Sequence, residues 1–264
     1  MPSGKKARQQ RREAATRTPP PVRSKSGGPR SFRASRRTLT VVGVVLVVLI
    51  ALGIGLSLAF TGNAHGHSGT SDHTAALSTL GTLKPAPPLG ASGFEGVPVE
   101  NGPDLAPAGA PSPGGSVDGI ACDTSEQLLF HIHARLTIFV NGNPRRVPAG
   151  VGIADPQTQQ SSQGPVVGGG ACLAWLHTHT TDGIVHIESP VHRTFTLGNF
   201  FDVWGQPLSR TQVGPARGPV TALLDGRVWL GDPRDIPLDA HSQIQLEVGR
   251  PLVAPVQITN WFQL

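Results

Sequence analysis

The sequence contains no tyrosine, a single methionine and only two cysteines. Without tyrosine, no phenol can serve as an acid, a nucleophile or a redox group. Met1 is the only methionine and lies at the N-terminus, which excludes copper sites with an axial methionine and methionine-rich Cu(I) sites. Walker A, GxSxG, HExxH, Rossmann glycine and cupin-type HxH patterns are also missing. These absences favour a non-catalytic protein and assign no catalytic residue.

Positive charge is concentrated at the N-terminus. Of the 22 lysines and arginines, 12 precede residue 38, together with one of the 17 acidic residues. The rest of the chain is therefore acidic, with 10 basic and 16 acidic residues. The pI near 10.0 belongs to this tail alone, so the composition does not predict a nucleic-acid partner. We expect residues 1–38 to form a disordered basic tail.

A charge-free run, residues 41–60, follows the tail. Fourteen of these 20 residues are Val, Leu, Ile or Phe, and a helix of this length spans a hydrocarbon core of about 30 Å. Because the cations precede the run and no lysine or arginine follows until Lys84, the positive-inside rule places the N-terminus in the cytoplasm. The pattern predicts one transmembrane helix over 39–60, lipid as a partner, and an extracytoplasmic C-terminal part. A cleaved signal peptide is the alternative.

Residues 61–117 are rich in Gly, Pro, Ala, Ser and Thr and contain no periodic apolar run. This composition predicts a flexible linker, followed by a folded domain over 118–264. Cys122 and Cys172 both fall in that domain. Outside the cytoplasm an isolated pair predicts a disulfide, and closing this loop would stabilise the fold by roughly 4 kcal/mol. Metal binding by the thiolates is the alternative.

The segment LLFHIHARLTIFV, residues 128–140, alternates apolar and polar side chains and predicts a β-strand. Its apolar residues share one face. His131 and His133 therefore lie two apart on the face opposite the core. Asn141-Gly142 then predicts a tight turn.

The segment LAWLHTHTTDGIVHIESP predicts a hairpin with a two-residue turn at Asp182-Gly183. In that register His179 lies opposite His186 and His177 lies opposite Glu188, with all four side chains on one face and cross-strand Cβ atoms about 5 Å apart. A shift of one residue would destroy the arrangement. The hairpin therefore predicts a metal site.

The predicted ligands are His177, His179, His186, His131, His133 and Glu188, with the first strand required to lie beside the hairpin. Imidazole ligands favour Zn or Cu(II). We expect an extracytoplasmic metal-binding domain that acts as a sensor, carrier or envelope accessory, with an envelope protein as a further partner. The alternatives are a metal-free envelope interaction module and a Zn-dependent hydrolase or lyase that uses Glu188 as base.

The remaining segments complete the fold prediction. FTLGNFFDVWG predicts a short helix capped by Thr196, VTALLDGRVWL a hairpin turning at Asp225-Gly226, and SQIQLEVG a closing strand. This order predicts an α+β, mostly β domain that resembles the β-grasp fold, with the histidine-bearing hairpin inserted. An all-β sandwich is the alternative.

The blocks HIHARLTIFVNG, LAWLHTHTTDGIVHIESP and FTLGNFFDVWG also resemble a recurring pattern in uncharacterised membrane-anchored bacterial proteins. The resemblance covers roughly residues 118–264. It implies a genuine domain that combines an HxH strand with an HTHxxDGxxHIESP hairpin. It implies no activity.

Overall fold

The computed structural model of the chain describes residues 73–261 and Leu264. The predicted tail and transmembrane segment lie outside the described residues, as does the start of the predicted linker. Within the described part of the chain, no helix has the length and apolar character needed to cross a membrane.

Strands dominate the described residues, with 37% strand and 8% helix, as predicted for a mostly β domain. The first strands are β1 (Thr74–Ala75), β2 (Ser116–Val117), β3 (Ile120–Asp123), β4 (Phe130–Val140), β5 (Asn143–Arg145), β6 (Ile153–Ala154), β7 (Thr158–Ser161) and β8 (Gly164–Val167). They continue with β9 (Cys172–Ala174), β10 (Leu176–His177), β11 (Ile184–Ser189), β12 (Leu208–Ser209), β13 (Gln212–Val213), β14 (Ala216–Arg217), β15 (Val220–Leu224), β16 (Arg227–Trp229) and β17 (Gln243–Val248). The helical elements are α1 (Leu197–Trp204) and 3-10 turns at Leu77–Leu80 and Pro233–Asp235.

The largest sheet is mixed and contains the strands that position the histidines. Its order is β1-β16-β15-β17-β4-β11-β10, and β5 pairs with the C-terminal end of β4. The pair β17–β4 is parallel, whereas β4–β11 and β15–β17 are antiparallel. β4 is therefore an interior strand, with β17 on one side and β11 and β5 on the other.

The two faces of β4 have different surroundings, as its alternating sequence predicted. Leu136 and Ile138 lie in the main hydrophobic core. The opposite face carries His131, His133 and the buried Arg135. This division places the histidines on the polar side of the sheet, away from the main core.

Helix α1 covers the apolar side of the sheet and begins as predicted. The Thr196 side chain accepts a hydrogen bond from the backbone N–H of Asn199, whose own side chain accepts from the backbone N–H of Thr196. This reciprocal pair satisfies two otherwise unpaired donors at the helix start. Phe200, Phe201 and Trp204 are buried in the main core, as their spacing indicated.

Residues 73–117 pack against the domain, although the sequence predicted a linker there and a domain start at 118. Val97 is fully buried, and Glu100 forms a buried ion pair with Arg135. Backbone hydrogen bonds also connect this segment to residues near the C-terminus. The packed region therefore extends N-terminal to the predicted boundary. A few anchoring side chains and main-chain hydrogen bonds hold the segment. Neither kind of contact requires apolar residues at regular spacing in the sequence.

The predicted disulfide between Cys122 and Cys172 is confirmed. It joins β3 to β9, where Cys122 pairs with Ala174. Both sulfurs are used in the bond, so the alternative in which the thiolates bind metal is wrong. The bond closes a long loop and stabilises the fold by about 4 kcal/mol through the entropy of the unfolded chain. Because β9 leads directly into β10, the disulfide anchors the strand that carries His177.

Glu247 of β17 supplies a test of pH-dependent stability away from the histidines. It is buried and accepts hydrogen bonds from the Gln245 side chain and the Val253 backbone N–H. Burial outweighs these bonds and raises the pKa of Glu247 to about 7. A raised folded-state pKa means that the folded chain holds this proton more tightly than the unfolded chain. The resulting stabilisation is complete below the unfolded pKa of about 4.3 and is lost as the pH rises through about 7.

We therefore expect Glu247→Gln to stabilise the full-length chain at pH 8 by about 3–4 kcal/mol relative to wild type, and to change stability little at pH 4. Glutamine retains the oxygen that accepts from Val253. Chemical denaturation at both pH values, with a chelator present, measures the difference. The substitution Asp239→Asn at an exposed position is the control. An equal effect of Glu247→Gln at both pH values would contradict the assignment.

Candidate metal centre

Three neighbouring strands bring the histidines to one face of the large sheet. β11 lies between β4 and β10. His186 of β11 pairs with His133 of β4 and with His177 of β10, and Glu188 pairs with His131. Paired residues of neighbouring strands project to the same side. The first strand therefore lies beside the histidine hairpin, which is the condition under which His131 and His133 were predicted to join the site.

The register of the hairpin differs from the predicted one by two residues. A two-residue turn at Asp182-Gly183 would pair His179 with His186 and His177 with Glu188. In the structure His177 pairs with His186 instead. Because the shift is even, the side chains keep their predicted face, whereas a shift of one residue would have turned them away.

The turn is wider than predicted because hydrogen bonds, both within the turn and to a distant loop, draw the chain off the sheet. Asp182 Oδ1 accepts a hydrogen bond from the backbone N–H of Ile184 at 3.2 Å. Aspartate side chains commonly accept such a bond from the residue two positions later in a turn. The hydroxyl of Thr178 donates to the Pro148 carbonyl and accepts from the Val151 N–H. The strand β10 therefore ends at His177, and His179 reaches the cluster from a loop.

The first group of donor atoms has the dimensions of a coordination shell. Nε2 of His133 lies 3.1 Å from Nε2 of His131 and 3.1 Å from Nδ1 of His186. Oε1 of Glu188 lies 3.2 Å from His131 Nε2 and 3.3 Å from His186 Nδ1. These four atoms form a closed ring. Ligands held about 2.0–2.1 Å from one ion, at angles of 90–109°, lie about 2.9–3.4 Å apart.

The second group of donor atoms belongs to His177, His179, His186 and Glu188. His177 Nδ1 donates to the Ala174 carbonyl at 2.8 Å, and His179 Nδ1 donates to the Val167 carbonyl at 2.6 Å. Because a carbonyl only accepts, the hydrogen of each neutral ring lies on Nδ1 and the lone pair on Nε2. The two Nε2 atoms are 3.1 Å apart. Metal-binding histidines are commonly fixed by the same kind of carbonyl contact.

The electrostatics of the cluster favour a cation at its centre. Burial lowers the pKa of His177 well below its ordinary value, and burial together with the nearby His186 lowers the pKa of His133 to about 3. Both rings are therefore neutral at pH 7, and each keeps one unprotonated ring nitrogen. Burial would also lower the pKa of His186, but hydrogen bonds to Glu188 and Glu95 outweigh it and raise this pKa to about 9.

Glu95 orients His186 from outside the ring of donors. Its Oε1 accepts from His186 Nε2 at 2.9 Å, and its Oε2 accepts from the Thr180 hydroxyl at 3.2 Å. Burial alone would raise the pKa of Glu95, but the His186 contact lowers it overall. Burial and the charge on Glu95 raise the pKa of the adjacent Asp182 to about 7. With Nε2 bonded to Glu95, His186 directs Nδ1 at the ring, as carboxylate–histidine–metal triads do.

Sequence reasoning missed two acidic residues of the centre. Glu95 lies in the predicted linker, and Glu126 precedes β4, with its Oε1 3.6 Å from His179 Nε2. A weak signal for Glu95 exists in EGVPVE, where two glutamates flank alternating valines within a segment of small residues. Glu126 shows no pattern beyond its position between Cys122 and the first HxH pair.

All six predicted ligands lie in the cluster. Glu188 is 3% exposed, and its Oε1 faces both His131 and His186. A buried carboxylate surrounded by imidazoles is placed to bind a cation, and it is poorly placed to take a proton from a substrate. The arrangement can therefore hold a metal ion.

A cavity of about 950 Å³ lies elsewhere in the domain. Its lining includes Phe130, Ile132, Arg193 and Leu238 and none of the clustered histidines. The donor atoms instead approach one another directly. The cluster is therefore a small, compact group of polar donor atoms.

Comparisons with protein-family models, with curated proteins and with solved structures find no match for this chain.

Proposed function

We propose that this protein is a membrane-anchored metal-binding protein whose outer domain holds Zn or Cu(II) through its clustered histidines. The observation that carries the proposal is the ring of donor atoms from His131, His133, His186 and Glu188, with neighbours 3.1–3.3 Å apart. Three imidazole nitrogens and one carboxylate oxygen suit both metals. The domain serves as a sensor, carrier or envelope accessory.

A metal-free interaction module is the weaker alternative, because the polar groups are buried where a solvated surface would expose them. His133, His186 and Glu188 are all less than one-tenth exposed. Neutral imidazoles such as His133 bring a lone pair into this dry region at the cost of lost hydration. A metal ion recovers that cost by binding the lone pairs.

The hydrolase alternative loses the base that it requires. That alternative uses Glu188 as the base, but Oε1 of this carboxylate already faces His131 and His186, and Oε2 is buried. Glu95 is likewise engaged by His186 and Thr180. We therefore propose a binding role in preference to catalysis.

Three features support the location that we propose for the protein. The charge-free run at 41–60 and the basic residues before it favour a single-pass anchor with a cytoplasmic N-terminus. The disulfide between Cys122 and Cys172 favours an oxidising compartment for the domain. We accordingly propose membrane lipid and an envelope protein as partners, and no nucleic acid.

We also retain the β-grasp interpretation of the fold as a proposal. It is supported by the order β5-β4-β17-β15-β16, in which the first long strand and the last strand run parallel. It is also supported by helix α1, which lies between the two hairpins along the chain. In this interpretation residues 146–192 form the insertion, and β11 extends the sheet beside β4.

The proposal is tested by zinc titration of the full-length chain, purified in a mild detergent and stripped of metal. We expect stoichiometric binding with a Kd below about 1 μM, or about −8 kcal/mol. His177→Ala and His179→Ala should each weaken the total binding. If wild type binds no zinc more tightly than about 100 μM, the proposed function is wrong.

A further inference from the structure

The cluster contains more donor groups than one ion needs. A zinc ion in a protein takes about four ligands, yet the two groups together contain five imidazoles and Glu188. His186 and Glu188 belong to both groups. One ion bound by the first group would leave the second pair of histidines, His177 and His179, without a metal.

We propose that the centre holds two metal ions bridged by the carboxylate of Glu188. This inference rests on the proposed function, because it assumes that the cluster binds metal at all. The first position is the ring of His131, His133, His186 and Glu188 Oε1. The second position is formed by Nε2 of His177, Nε2 of His179 and Glu188 Oε2.

The two oxygens of Glu188 have different surroundings. Oε1 faces His131 Nε2 at 3.2 Å and His186 Nδ1 at 3.3 Å. Oε2 is buried and has no hydrogen-bond partner, and it lies 3.9 Å from His177 Nε2. A buried carboxylate oxygen without a partner loses its hydration and gains nothing in return. An ion between Oε2 and the second pair of histidines supplies the missing partner.

The Nε2 atoms of His177 and His179 likewise lack a hydrogen-bond donor among the described residues. Carbonyls hold the Nδ1 hydrogen of each ring, so two Nε2 lone pairs face one another at 3.1 Å. Two acceptors at this distance repel unless a positive charge lies beside them. A metal ion bound to both nitrogens relieves this repulsion.

His177 Nε2 lies close enough to each of the other two donors of the second position for one ion to bind both atoms of the pair. Two ligands held about 2.0–2.1 Å from one ion are at most about 4.2 Å apart. The separations are 3.1 Å between the two Nε2 atoms and 3.9 Å from His177 Nε2 to Glu188 Oε2. Glu126 Oε1 lies 3.6 Å from His179 Nε2, at the solvent side of this position.

Two ions that share one carboxylate lie about 3.5–4 Å apart in known dinuclear centres. Each position reaches solvent at one edge, since His131 in the first is 40% exposed and Glu126 beside the second is 38% exposed. Both ions should therefore be able to exchange with the surrounding solution. A two-ion centre of this kind fits a carrier or sensor that responds to metal supply.

The test is zinc stoichiometry of the full-length, metal-stripped chain in a mild detergent, measured by native mass spectrometry and by metal analysis after dialysis. Wild type should hold two equivalents. His179→Ala, which alters a residue on a loop, should hold one, with the lost equivalent weakened at least about 100-fold. His131→Ala alters a side chain that is 40% exposed and should also leave one. His192→Ala, outside the cluster, should leave two.

Each outcome separates the inference from the function on which it rests. No zinc in wild type overturns both. One equivalent in wild type overturns the bridge and leaves the proposed function standing. Two equivalents that survive His179→Ala place the second ion elsewhere and overturn the bridge. Anomalous scattering from zinc-loaded crystals of wild type gives a measurement that needs no variant, with two peaks about 3.5–4 Å apart expected and a single peak contradicting the bridge.

Discussion

Replacing His186 with glutamine should weaken zinc binding by the full-length chain at least about 100-fold, because second-layer changes alone cost about 10–100-fold. His186 lies between the two groups of donors and belongs to both. Glutamine can still donate a hydrogen bond to Glu95, but it offers no imidazole nitrogen to a metal. Competition against a chelator of known affinity measures the loss.

A graded series isolates the role of His186. Glu95→Gln keeps an oxygen that accepts from His186 Nε2 but removes the charge that orients the ring, so we expect a loss of about 10-fold. His192→Gln makes the matched change at an exposed histidine outside the cluster and should have no effect. Thermal unfolding in metal-free buffer verifies that each variant folds. If His186→Gln binds zinc as tightly as wild type, the ion lies elsewhere.

Replacing Glu100 with alanine should destabilise the folded chain by about 3–5 kcal/mol. Glu100 and Arg135 form an ion pair in which both side chains are almost fully buried. Thr137 also donates a hydrogen bond to Glu100 Oε1 at 3.2 Å. Removing the carboxylate leaves the Arg135 guanidinium buried and uncompensated. Chemical denaturation of wild type and variant under identical conditions measures the change.

Asp104→Ala is the matched control from the same segment. Asp104 pairs with Arg146 at 2.9 Å, but the two side chains are 41% and 33% exposed. Solvent screens such a pair, so its loss should cost less than about 1 kcal/mol. The comparison also tests whether residues 73–117 pack on the domain. If they formed a free linker, Glu100→Ala would cost no more than Asp104→Ala.

The sequence predicted those elements whose signals are local. The alternation of residues 128–140 predicted β4 and the polar face that carries His131 and His133. Thr196 and the apolar spacing after it predicted α1. The two cysteines and the basic residues of the tail together indicated an oxidising compartment and hence the disulfide. Each of these predictions depends on residues that lie near one another in sequence or on a pair without alternatives.

The errors arose where distant parts of the chain determine local structure. Asp182-Gly183 alone favours a two-residue turn, but Thr178 is held by Pro148 and Val151, about 30 residues earlier. That contact widens the turn and shifts the register. The ligand face survived only because the shift was even.

The acidic residues around the centre could not be assigned for a related reason. Glu95 and Glu100 reach the sheet from a segment rich in glycine and proline, where no periodic pattern marks a packed element. Glu95 reaches His186 across 91 positions of the sequence, and Glu100 reaches Arg135 across 35. Neither contact follows from the local sequence. The inner donors could be predicted from strand periodicity, whereas the outer ones required the tertiary structure.

The location of bound metal tests the central claim most directly. Crystals of the zinc-loaded full-length chain, measured on both sides of the zinc absorption edge, reveal each ion by its anomalous scattering. We predict a peak about 2.0–2.2 Å from His131 Nε2, His133 Nε2, His186 Nδ1 and Glu188 Oε1. The absence of zinc from these atoms in crystals grown with stoichiometric zinc, or a peak only at other histidines, would contradict the account.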